Sequence, residues 1–179
     1  MSANLRPADA AAASDEPRER SAAPRALAVL DTPSALGFDA LARLAAHACM
    51  AQVAVIELLD GERAWFKAVH GIEASALHER RSSFCCATAL SEQVLEVADT
   101  QLDPRFAGSP VLDGALRMRY GAGAAIRFEG AAIGTLCVFN PVPHRGSPAS
   151  LRALEDLAAV ATAMLRARIE AYQLYCESR

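Results

Sequence analysis

Long apolar runs are missing from this sequence. Nowhere does it approach the ~20 consecutive apolar residues that a membrane-spanning helix needs. The first 21 residues hold no apolar block ahead of a cleavage-type site, so no secretory signal is read there and the expected compartment is the cytoplasm. Basic clustering is missing too: 18 Lys and Arg are interspersed with 21 Asp and Glu, for a formal net charge of −3. Phosphate backbones are held by grouped cations, so neither nucleic acid nor a membrane is an expected partner.

Paired cysteines are also lacking. Cys49, Cys85, Cys86, Cys137 and Cys176 are odd in number, without a C-x-x-C, which removes a zinc site and a thioredoxin-like pair. In a reducing cytosol they read first as small buried hydrophobes. No G-x-G-x-x-G follows Tyr120, since only Gly121 and Gly123 are present, so a dinucleotide site is rejected. No Ser-His-Asp arrangement is defensible either. No catalytic residue and no metal site are assigned, the cofactor is unknown, and the chain is not expected to be an enzyme.

What is present is a body of hydrophobic residues, 53% of 179, suited to one domain with tails. Residues 1–22 are Ala, Pro, Arg and acidic residues, too poor in large apolar side chains to offset their ordering entropy, and read as a disordered tail. The domain is expected over 23–172, with 173–179 as the end of a helix. Leu27, Val29 and Leu30 open its apolar pattern, and Asp31-Thr32-Pro33 punctuates it. Leu41, Leu44, Ala45 and Ala48 then recur at helical spacing, with Asp39, Arg43 and His47 as a wet face, which predicts a helix over 34–50. The period then changes. Residues 52–59 and 64–70 are β-rich runs around Asp60-Gly61, the signal of an antiparallel hairpin.

A short helix is expected around 86–93, a strand over 94–98 and a long, partly helical loop over 99–117. A second hairpin, 120–128 with 131–139, turns at Glu129-Gly130. Finally, Ser147 can cap and Pro148 can start a helix of about thirty residues. That helix carries one stripe of Leu151, Leu154, Ala158, Ala161, Leu165, Ile169 and Tyr172, and an adjacent one of Leu157, Val160, Met164 and Ala167. Two stripes suit two neighbours, the sheet and a partner helix, and the first is assigned to a homodimer contact. The element order implies an α+β fold: an antiparallel sheet of five or six strands, the terminal helices on one face and an irregular helical and loop segment on the other.

In order along the chain stand Leu30-Asp31-Thr32-Pro33, Phe38-Asp39, Trp65-Phe66-Lys67, Ser83-Phe84-Cys85, Asp103-Pro104-Arg105-Phe106, Ala122-Gly123-Ala124 and Gly134-Thr135-Leu136-Cys137-Val138. This series, spanning roughly 25–170, resembles bacterial GAF domains that precede diguanylate cyclase or histidine kinase modules. Two departures stand out. The family's Cys-Ala-His after Ser-Phe is replaced by Cys85-Cys86-Ala87-Thr88, and the proline of its Ala-Gly-Ala-Pro by Ala125.

The resemblance implies a sensory, non-catalytic module that binds a small effector in a cavity and relays occupancy through its C-terminal helix to a dimer or a signalling partner. It implies a cavity bordered by Phe84, Cys85, Cys86, Thr88, Asp99, Asp103, Arg105, Phe106, Arg119, Tyr120, Thr135 and Cys137. The Asp103-Pro104-Arg105 run also has a plain structural use, since Pro presets a turn while Asp and Arg satisfy loop backbone or pair together. A ligand-free interaction domain, with the cavity filled by Phe84, Phe106 and Tyr120, is the alternative. A thiol-based redox sensor built on Cys85-Cys86, and an enzyme like the GAF-type free methionine sulfoxide reductases, rank below it; the cysteine spacing of those reductases is not present. Bilin attachment is disfavoured because no Cys precedes a His. Haem stays open, with His47, His70, His78 and His144 read first as surface or loop residues.

Overall fold

Helix α1, Leu36–Ala48, forms where the 3.6-residue period predicts it. A computed structural model of the chain describes residues 36–60, 63–73, 83–107 and 117–178. The expected tail, the apolar start with Leu30-Asp31-Thr32-Pro33, Gly61 of the first turn, His78 and the loop punctuation at 108–116 lie outside them. Phe38, Leu41, Ala42, Ala45 and Ala46 face inward, whereas Leu44, expected in the core, is 53% exposed. The helix ends with Met50 in the left-handed region (φ 50°). Ala51 N–H bonds to the Ala46 carbonyl and Met50 N–H to that of His47, the double bond that satisfies a helix C-terminus.

The two hairpins are β1 (Val53–Asp60) with β2 (Arg63–His70), and β4 (Tyr120–Phe128) with β5 (Ala131–Asn140). Both turn residues of the second have positive φ, 50° at Glu129 and 84° at Gly130, the geometry that matches strand twist in a two-residue loop. Strand β3 (Leu95–Val97) adds an edge. The five strands run in the order β2-β1-β5-β4-β3 with every neighbour antiparallel. An extra residue at Lys67 bulges edge strand β2, because Ile56 pairs with Ala68 while Glu57 pairs with Phe66.

Alternation along the strands divides the core in two. On one face Ile56, Leu58, Ala122, Ala124, Ile126, Leu136 and Val138 meet α1 and the last helix, α3 (Pro148–Glu177). On the other face Val53, Val55, Cys137 and Phe139 meet the short helix α2 (Ser83–Leu90) and Phe106. The α+β arrangement with terminal helices on one face is as expected.

Helix α2 starts three residues before the expected position. Its sequence, SFCCATAL, has no polar stripe to mark a period, and Thr88 stays within it by donating its hydroxyl to the Phe84 carbonyl one turn back. It stops where Ser91 N–H bonds to the Thr88 carbonyl and Ser91 Oγ donates to Gln93 O.

Helix α3 begins as its sequence predicts: Ser147 Oγ accepts from Ser150 N–H and Pro148 takes the first turn. Its N-terminus is further tied to β3, since Gly146 N–H donates to Glu96 Oε1 at 2.6 Å. Asn140, at the end of β5, accepts from Gln52 N–H and donates to Met50 O, locking the α1–β1 connection onto the central strand.

Candidate functional site

The face of the sheet under α2 is where the cavity was expected, and among the described residues three phenyl rings pack there. Phe84, at 0% exposure, sits 5.2 Å from the Phe106 ring and 5.2 Å from the Phe139 ring. Room for it comes from Gly121: a Cβ there would lie 2.7 Å from the Phe84 ring. Cys85 and Cys137 are buried beside it with sulfurs 3.8 Å apart, and Cys137 Sγ lies 3.8 Å from Thr88 Oγ1. Thr135 is fully buried on the same strand, and its hydroxyl has no hydrogen-bond partner among the described residues. Cys86 is half-buried one step along the helix. The cavity candidates Phe84, Cys85, Thr88, Phe106 and Cys137 are therefore brought together.

Tyr120 is not with them. It alternates with Ala122 and Ala124 and belongs to the helix-side core, its ring 5.0 Å from that of His144. Burial, with the Glu96 carboxylate nearby, pushes its hydroxyl well above the ordinary tyrosine value. Phe139 takes the third place in the aromatic cluster that Tyr120 was expected to fill.

Asp99, Asp103 and Arg105 lie apart from that interior, on an open groove of about 650 Å³ along β3, lined also by Glu96, Val97, Leu102 and Arg145. Asp99 takes a two-point bond from Arg119, whose Nε–H donates to Oδ1 at 2.8 Å and whose Nη2 donates to Oδ2. Asp103 receives Arg105 from both its backbone N–H and its guanidinium, and its carbonyl accepts from Phe106 N–H. Arg105 in turn covers the Phe106 ring, 4.9 Å from its centroid. The run Asp103-Pro104-Arg105-Phe106 is thus a self-bonded turn that holds Phe106 in the core, in line with its structural reading.

The guanidinium beside each carboxyl, Arg119 for Asp99 and Arg105 for Asp103, holds it below the usual range. A depressed carboxyl contributes stability that is present above its unfolded value, ~3.9, and is lost as pH falls through the folded one. Asp99→Asn is accordingly expected to lower stability at neutral pH and to flatten the acid limb. Chemical denaturation of both proteins between neutral pH and pH ~3 checks this.

Two buried charged residues were not among the site candidates, Glu57 (1% exposed) and Lys67 (5%), the latter known only as part of the Trp65-Phe66-Lys67 motif. Glu57 stands opposite Thr135 in the β1–β5 register and acts on the Cys85 thiol. Its signal was available: it interrupts the apolar run Val53–Leu59 at a position that points, like Val55, under α2.

The α3 stripe assigned to a dimer contact is committed elsewhere. Leu154, Ala158, Ala161 and Leu165 are buried in the chain's own core against the sheet and α1, and Ile169 is buried further along the helix. Leu151 is half-buried and Tyr172 is exposed. In the adjacent stripe Leu157 and Met164 are half-buried and pack on the edge of the same core, while Val160 is 47% exposed.

The GAF domain family profile matches residues 35–165. A cyclic di-GMP phosphodiesterase of Pseudomonas aeruginosa is 42% identical over 93 residues, which is 51% of this chain and 16% of that protein. The chain thus spans about a sixth of the length of that relative. Among solved structures, the GAF domain of an Acinetobacter phosphoenolpyruvate-protein phosphotransferase superposes with a TM-score of 0.63 at 19% identity, covering 86% of this chain and 95% of the other. A free methionine-R-sulfoxide reductase of Neisseria meningitidis, solved with its substrate, superposes at 0.59 with 17% identity over 91% and 95% of the two chains. At these identities the structural likeness shows the fold.

Proposed function

The chain belongs to the GAF domain family, and from that premise we propose that it is a regulatory, non-catalytic signalling module that works by protein contact, its long helix α3 being the output. The observation that supports this reading is the packing under α2 of the Phe84 ring against Phe106 and Phe139, all three buried among the described residues. A module filled by its own side chains acts through its surface. The surface with the right pattern is the α3 stripe whose Val160 and Leu174 are exposed while Leu157 and Met164 rest on the core edge.

Extended along the helix, that stripe reads Ala153, Leu157, Val160, Met164, Ala167, Ala171 and Leu174, at alternating steps of four and three residues. This is the 3.5-residue repeat of a two-helix seam. The last turns of α3 are exposed throughout, with Leu174 at 68% and Tyr175 at 56%. The first occupant we assign to the seam is a second copy. The full-length activity of the phosphodiesterase relative supports placement in a signalling system, without assigning that activity here.

Sedimentation velocity tests the proposal. The wild type is expected to dimerise, and Val160→Glu to be monomeric. Because Val160 is half exposed, the stability of the folded chain should move by no more than about 0.5 kcal/mol. A wild type that stays monomeric at high concentration overturns the dimer. A second reading, a small effector bound in the groove along β3, is favoured by the charged lining of Glu96, Arg105 and Arg145. A thermal-shift screen with cyclic nucleotides, amino acids and aromatic acids separates it from the first.

A further inference from the structure

Cys85 and Cys137 are 52 residues apart in sequence, one in the first turn of α2 and the other in the middle of β5, yet their sulfurs lie 3.8 Å from each other. The approach is built in. A Cβ at position 123 would stand 2.8 Å from Cys137 Sγ and 2.7 Å from Thr88 Oγ1, so the glycine there makes the space that both side chains occupy. Two thiols held this close have a high effective concentration toward one another, which favours their mutual bond over capping by an outside thiol. Cys49 is buried with its S–H directed to the Ser150 carbonyl, and Cys176 is exposed near the end of α3.

We propose that Cys85 and Cys137 form a redox modification site at which a hydroperoxide produces a disulfide that ties α2 to the central strand. The reaction has two steps. Cys85, the less buried residue of the pair at 4% exposed against 0% for Cys137, takes the distal peroxide oxygen on its sulfur, giving a sulfenic acid and releasing water or an alcohol. The Cys137 sulfur then attacks the sulfenic sulfur; the S–S bond forms, the S–O bond breaks, and the hydroxyl leaves with the Cys137 proton as water. Two thiols give up two electrons and two protons, and the O–O bond of the peroxide is the acceptor.

The site is slow. The neighbouring Cys137 thiol, burial and the Glu57 carboxylate keep the Cys85 thiol protonated, and the thiolate is the nucleophile. It therefore records sustained rather than brief oxidation. The product fixes α2, and with it Phe84, to the sheet. This inference is independent of the dimer seam, since none of its residues lie on α3.

Peptide mapping tests it on the full chain: hydrogen peroxide treatment, denaturation in an alkylating agent, digestion and mass spectrometry. The expected result is a cross-linked pair of peptides bearing Cys85 and Cys137, reversed by a dithiol reductant. Cys86→Ser should retain the cross-link. Cys137→Ala should lose it, with Cys85→Ala as the second variant should the first not fold. The proposal is overturned if both thiols remain alkylatable after treatment that oxidises Cys176. It is overturned equally if the link joins Cys85 to Cys86, or if Cys86→Ser abolishes it.

Discussion

Gly134→Val is expected to destabilise the domain by about 3 kcal/mol, the upper end of the usual range for overpacking, or to prevent its folding. Propensity alone argues the other way, because valine outranks glycine in strands on a scale that spans about 1 kcal/mol. Packing decides the sign. Gly134 pairs with Leu58 on one side and Ile126 on the other, in the strand that joins the two hairpins. A Cβ at this position would lie 2.5 Å from the Glu57 carbonyl oxygen and 2.8 Å from Leu58 Cδ2. The first neighbour is backbone and has no rotamer by which to move away. Relief requires β1 to shift against β5, and that disturbs both faces of the sheet at once. Urea denaturation of the variant against wild type measures the loss; a change below about 1 kcal/mol would mean that the strands part easily at this point.

The same glycine shows how much of the fold was legible. The apolar run 131–139 reads as a central strand because both of its faces are covered, and it is one. The hairpin turn at Glu129-Gly130 and the Ser147-Pro148 start of α3 were legible for local reasons: the backbone angles and orphan amides there are satisfied by neighbours in sequence. The start of α2 was not, because an octapeptide whose only polar side chains are Ser83 and Thr88 has no period to read. Tyr120 was placed on the wrong face for a related reason. Alternation says that it shares a face with Ala122, but not which face receives the intruding helix.

A clue to that was in Gly121 and Gly123, the residues that leave space for Phe84, Thr88 and Cys137. A strand with glycine at alternate positions is one against which another element packs closely. The two stripes of α3 were legible as stripes. Which one is buried more deeply depended on how α3 sits between the sheet and α1, a tertiary fact that periodicity does not contain.

Phe84→Ala is expected to lower stability by about 3 to 5 kcal/mol, and the upper part of that range is the reasoned choice. The cost of such a deletion grows with the cavity that remains, and here little can collapse into it. Two of the surrounding walls are the rigid rings of Phe106 and Phe139, and a third is Gly121, which has no side chain to lean inward. A double substitution checks the geometry. Gly121→Ala alone should destabilise, because its Cβ would meet the Phe84 ring at 2.7 Å. Added to Phe84→Ala, it should be neutral or restore part of the loss, since the ring it would strike is gone. Additive effects would contradict the packing described here.

The single variant also bears on function. Its void would be lined by aromatic and aliphatic groups, and such cavities stay dry and admit small apolar molecules. Benzene-like compounds should therefore raise the thermal midpoint of Phe84→Ala while leaving wild type unmoved. That contrast is what a module filled by its own side chain predicts. A wild type that is stabilised by the same compounds would instead mean that Phe84 yields its place to a ligand, and the contact-driven reading of this GAF domain would give way to an effector-driven one.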